Sequence, residues 1–187
     1  MSSSKEKITE REAASYFVLN IIRMVKRSWP TIYENFKEIF KEKFVIENEE
    51  MAIFDLTLAI IAQELQAVKN LFSKDQAERI RRWVLKCINT KDWGKYVINE
   101  IKKYEKRFQT EIQNIEKGGD PLSAISTRLA HRWLGKNIKN FEVEKKGKKT
   151  GIINPLLIMM ITEVLITFVG IWKKFKDEFE IVEDNIM

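Results

Sequence analysis

From Leu156 to Trp172 the chain reads LLIMMITEVLITFVGIW, in which only Thr162, Glu163, Thr167 and Gly170 are not hydrophobic. Asn154-Pro155 precedes it, an N-cap residue followed by a proline at the first helical position, where the missing N–H costs nothing. The reading is one helix from Pro155 to about Phe179. A second segment, Met51 to Ala62, reads MAIFDLTLAIIA and is broken only by Asp55 and Thr57. A helix that is apolar on all sides is the centre of a bundle, a subunit interface or a membrane span. A span needs about 20 apolar residues. Glu163 falls mid-segment, where a charge costs roughly 3 kcal/mol on insertion scales. A buried core or an interface is therefore the better reading, and no membrane span is expected.

Working outward, the remaining punctuation is helical. Asp120-Pro121 starts another helix, to about Lys136. Thr9-x-x-Glu12 is a capping box opening a helix that should end near Trp29, with a separate short helix after Pro30. Ser73-x-x-Gln76 opens a helix through Ile88, with Ala77, Ile80, Val84 and Ile88 on one face. A further helix is expected from about Asp92 to Lys117. With Glu50 to Phe72 this makes an all-α, single-domain bundle of about seven helices. The two nearly all-apolar helices lie at its centre. Residues 1–8 read as a disordered N-terminal tail and 181–187 as a C-terminal tail around a helical domain of 9–180. Residues 137–153 read as a long basic loop, and no segment makes a convincing strand.

Counts exclude several chemistries. The 187 residues contain one cysteine, Cys87, and one histidine, His131. An internal disulfide is impossible, a four-ligand zinc site cannot be supplied, and no CxxC redox pair exists. No Gly-rich phosphate loop occurs. No metal or cofactor is expected, and the scarcity of catalytic residue types leans against an enzyme. The polar start, MSSSKEKITERE, is not a targeting signal, which points to a cytoplasmic protein.

Three residues are candidates for ligand or acid/base work. Asp55 and Glu163 each lie on a narrow polar or small-residue stripe of an apolar helix. If both stripes face inward, the carboxylates need partners or their pKa values rise. The bland alternative is a solvent-facing edge, or an arginine from a neighbouring helix that satisfies the acid. His131 points away from the core stripe of its helix, towards solvent or a second packing surface, with Arg128 and Arg132 near it. Cys87 reads as a small buried hydrophobe beside Ile80.

The net charge of +6 is uneven. Residues 74–153 carry twenty Lys/Arg against ten Asp/Glu, a net +10. Arg79, Arg82 and Lys86 share an outer helix face, and Lys145, Lys146, Lys148 and Lys149 crowd the basic loop. Such clusters can neutralise phosphates, but no nucleic-acid recognition motif accompanies them. The leading expectation is a non-catalytic protein–protein interaction or self-associating module, with a two-fold dimer as default. Its interface would be the arc of the last helix containing Phe168, Trp172 and Phe175. The alternative is a weak polyanion or nucleic-acid binder using the 74–153 region. One continuous basic stripe would favour nucleic acid. Dispersed cations beside an exposed apolar patch would favour a protein partner.

Overall fold

The structure is a computed structural model that describes residues 5–89, 94–145 and 147–184. Seven α-helices are present among them: α1 Glu10–Phe40, α2 Glu49–Leu71, α3 Lys74–Ile88, α4 Gly94–Gln113, α5 Pro121–Leu134, α6 Pro155–Ile166 and α7 Ile171–Glu178. Four short strands accompany them: β1 Glu6–Thr9, β2 Glu142–Lys145, β3 Lys148–Ile153 and β4 Phe179–Val182. The fold is all-α. The expected start of the fifth helix near Asp92 lies outside the described residues.

The caps form as their residues demand. Thr9 and Glu12 make a reciprocal capping box at α1, and Asn48, Ser73, Asp120 and Asn154 each accept a first-turn N–H from their own helix. The expected stripe of α3, Ala77, Ile80, Val84 and Ile88, is buried. α2 is the hub, packing on α1, α3, α4, α5 and α7. Every residue from Asp55 to Gln66 is buried, which explains an apolar surface all round without lipid.

Two helix boundaries differ from the sequence reading. α1 runs straight through Pro30, although an interior proline forfeits a hydrogen bond and costs about 3 kcal/mol. Packing outweighs it. Trp29 and Phe36 flank the proline and both meet Trp133, with ring centroids 5.4 and 5.9 Å apart. The Trp29 indole N–H also donates to Glu49 at 2.7 Å.

The expected last helix is instead two. Thr167–Gly170 is a turn, and Gly170 sits at φ +85°, left-handed backbone that glycine adopts without strain. The break is fixed from a distance. The Glu64 carboxylate accepts the Gly170 N–H at 2.8 Å and the Trp172 N–H at 3.0 Å, capping α7. By length and composition α2 and the stretch 155–178 could each cross a membrane. The twelve residues of α6 span only about 18 Å, however, against roughly 30 Å of hydrocarbon. α6 is also peripheral rather than central, packing mainly on α5.

The tails and the basic loop need correcting too. Residues 6–9 are ordered as β1 and pair in parallel with β4, with Ile8 opposite Ile181 and Thr9 opposite Val182. Residues 137–153 are not one loop. A 3-10 segment, Gly135–Phe141, leads into the antiparallel β2–β3 hairpin. Its turn contains Gly147, at φ +74°.

Candidate functional site

The interior holds several acids, and each has a partner on another helix. Asp55 on α2 receives a two-pronged bond from Arg132 on α5, both distances 3.0 Å. Arg132 also donates to the Tyr96 hydroxyl. Glu100 on α4 takes Arg128 of α5 and, at 2.6 Å, Lys103. Glu105 on α4 takes Arg81 of α3 at 2.7 and 3.2 Å. Glu10 takes Arg79 of α3 at 2.9 to 3.2 Å. Sequence reasoning singled out only Asp55 among these. No local pattern marks a glutamate whose partner is contributed by a distant helix.

Electrostatics follow from these partners. Burial pushes the Asp55 carboxyl up, with the Arg132 hydrogen bonds opposing it. Glu64 is raised by burial as well, against the backbone N–H groups of Trp172, Gly170 and Ile171. Glu100 pays a burial penalty too, but Lys103 and Arg128 outweigh it and hold its carboxyl below the ordinary value. Burial raises the Tyr104 hydroxyl beyond any physiological range. The carboxylates are paired groups that tie helices together, whereas the buried Tyr104 hydroxyl has no hydrogen-bond partner among the described residues. The two-pronged arginine engages both oxygens of Asp55, so neither is left without a partner.

Asp55 and Glu163 do not meet. Asp55 is buried, whereas Glu163 is exposed on α6, so no paired-carboxylate centre exists between them. The bland reading holds for Asp55: an arginine from a neighbouring helix satisfies it. His131 is exposed, as its position opposite the core stripe requires. Cys87 is also exposed, contrary to expectation, with its Sγ 3.4 Å from Ser15 Oγ. No cluster of three His, Cys, Asp or Glu able to hold a metal occurs among the described residues.

The basic residues fall into two groups on different elements, one on α3 and one on the β2–β3 hairpin, rather than into one continuous stripe. Arg79 is held by Glu10 and lies 3.5 Å from Glu183. Lys86 rests over the Trp83 ring at 4.2 Å, and Arg82 is exposed. Lys145, Lys148 and Lys149 are exposed on the β2–β3 hairpin, a different element; Lys146 lies outside the described residues.

What remains is an apolar surface, and it is not the one expected. Phe168 and Trp172 are buried in their own chain, and Trp172 stacks on Phe17 with centroids 4.8 Å apart. Phe175 is half-buried between Trp172 and Phe179. The break at Thr167–Gly170 leaves Phe168 and Trp172 facing their own core, so the expected arc is not presented as one outer face. On and beside α6 the exposed apolar residues are Ile152, Leu156, Met159, Ile166 and Val169, 41 to 61% accessible, and Glu163 lies among them; a second exposed group, Tyr16, Leu19 and Met24, lies on α1. A groove of about 680 Å³ runs between α5 and α6, with His131, Thr127, Met159, Glu163 and Ile166 in its walls. Another of about 530 Å³, on the α1 side, includes Arg27, Ile32 and Glu163. Within α6 the spacing 156, 159, 163, 166 was legible in the sequence as a three-and-four repeat, but the buried face of the same helix is equally apolar.

No family model, curated protein or solved structure matches this chain.

Proposed function

We propose that this chain is a non-catalytic helical module that self-associates as a two-fold dimer through the outer face of α6. The observation that carries the reading is the row Leu156, Met159 and Ile166, each 41% or more accessible on a helix with a single charge. Large exposed apolar patches are uncommon on monomers. The row repeats at three and four residues, the spacing of a helix–helix seam. It is also a ridge between two grooves. A ridge beside a groove is self-complementary under a two-fold axis, since each copy offers what the other needs. Arg27 lines the same groove as Glu163, so a cation stands in the wall of the surface where burying that carboxylate would otherwise be costly. The division of the exposed cations between α3 and the β2–β3 hairpin, with no single continuous stripe, supports a protein partner over a nucleic acid when set beside this apolar face.

Crosslinking tests the surface. A Met159→Cys variant in a Cys87→Ser background is expected to form a disulfide-linked dimer on mild oxidation, since a residue near a two-fold axis meets its own copy. A Val45→Cys control, on the exposed chain before α2, is expected to remain monomeric. Equal crosslinking at both positions would place the contact elsewhere.

A further inference from the structure

We propose that the cleft between β1 and α3 is a docking site for an extended acidic peptide, and that residues 179–184 of this chain occupy it in cis. The segment, FEIVED, is held in the manner of a bound peptide. Its backbone adds as a strand along β1, a mode in which main-chain bonds supply affinity and side-chain pockets supply specificity. On its other side Gln76 of α3 donates to the Ile181 carbonyl at 3.0 Å. The two acids that follow are then read by charge. Glu183 lies 3.5 Å from the Arg79 guanidinium, and Asp184 accepts the Arg11 backbone N–H, in the first turn of α1, at 3.2 Å.

The wall they meet is built for anions. Arg79 is pinned by its two-pronged contact with buried Glu10, which fixes its direction before any ligand arrives. Arg82, Trp83 and Lys86 complete a cavity of about 170 Å³ that Glu183 and Asp184 border. Trp83 carries cations on its ring, with Lys86 at 4.2 Å and Arg11 at 5.6 Å. The cations of the fixed wall, Arg11, Arg79, Arg82 and Lys86, thus outnumber its acids, Glu10 and, beside Arg79, Asp75. Two acidic side chains from an extended segment are its natural complement.

The cis segment is lightly held. None of residues 179–184 is fully buried, and Glu183 is 63% accessible. The Lys7–Glu180 pair at its rim is more than half exposed on both sides, and such pairs contribute little. A two-stranded unit is marginal by itself, so the segment can open locally while α1 to α7 stay packed. Opening frees the β1 edge and uncovers the cations for a peptide of the same chemistry on another protein.

The test uses the full chain and a fluorescein-labelled synthetic peptide of sequence FEIVED, read by anisotropy. The wild-type chain should bind it weakly, because the tethered copy competes at an effective concentration of about millimolar. A Glu183→Lys/Asp184→Lys chain should bind at least tenfold more tightly, and Ile181→Gly, which also loosens only the cis segment, should do the same. Adding Arg82→Glu/Lys86→Glu should abolish the gain. Equal binding by wild type and both loosened chains would overturn the proposal, as would equal binding of a FEIVKK peptide. An oligonucleotide that bound the loosened chains more tightly than the peptide would give the cleft to nucleic acid and overturn it too. Loss of a wild-type dimer in the Glu183→Lys/Asp184→Lys chain would mean segment exchange between copies and overturn the cis assignment.

Discussion

Arg132→Met is expected to destabilise the fold by about 3 kcal/mol at pH 7, the low end for breaking a buried ion pair. The size follows from the asymmetry of the pair. The Asp55 side chain is 2% accessible and Arg132 32%. Losing the arginine strands a buried carboxylate with no solvent to replace its two hydrogen bonds. In a chain of this length the melting temperature should fall by roughly 6 to 12 °C. The deficit should shrink as pH falls. Burial already raises the Asp55 carboxyl, and without Arg132 it rises further. A folded-state pKa above the unfolded value means that the folded state binds protons more readily, so this group's penalty is present at neutral pH and disappears as pH drops through the raised value. The double variant Asp55→Val/Arg132→Met removes both charges and should lie within about 1 kcal/mol of wild type. Thermal melts of both chains at pH 7 and pH 5 check this. A double variant as unstable as Arg132→Met would mean that the pair itself, rather than the stranded charge, carries the stability.

Trp172→Ala should cost about 3–5 kcal/mol, the range for emptying a large aromatic site in a core. Trp172 is fully buried and touches Phe17, Phe72 and Phe175, with centroids 4.8, 6.1 and 5.8 Å away. The effect should be on folding alone. Denaturant unfolding should shift to a lower midpoint, while the folded fraction keeps the association state of wild type. A stable Trp172→Ala chain that had lost a dimer would restore the arc of Phe168, Trp172 and Phe175 as the interface.

The arc was misplaced for a physical reason that recurs elsewhere in the fold. Helix starts could be read from caps because each cap is local: Thr9 with Glu12, Ser73 with Gln76, and Asn154 with Pro155. The burial of α2 was readable from its apolar circumference. Events decided by partners far along the chain were not. The turn after α6 depends on Glu64, more than a hundred residues earlier. The persistence of α1 through Pro30 depends on Trp133. The order in residues 6–9 depends on a strand at 179–182. For the candidate site, spacing put Asp55 on a narrow polar or small-residue stripe but left open whether that stripe faced inward or outward. It could not show which side of an apolar helix would be left uncovered, since Leu157 and Ile161 are as hydrophobic as Leu156 and Met159 yet are fully buried.

Sedimentation equilibrium tests self-association through α6 most directly. The chain mass is 22.1 kDa. At tens of micromolar the wild type is expected to sediment at about twice that mass, and a Met159→Glu/Ile166→Glu chain, altered only at exposed positions, at the single-chain mass with an unchanged melting temperature. A wild-type chain that sediments at 22.1 kDa throughout this range, or a folded Met159→Glu/Ile166→Glu chain that remains a dimer, would contradict the account.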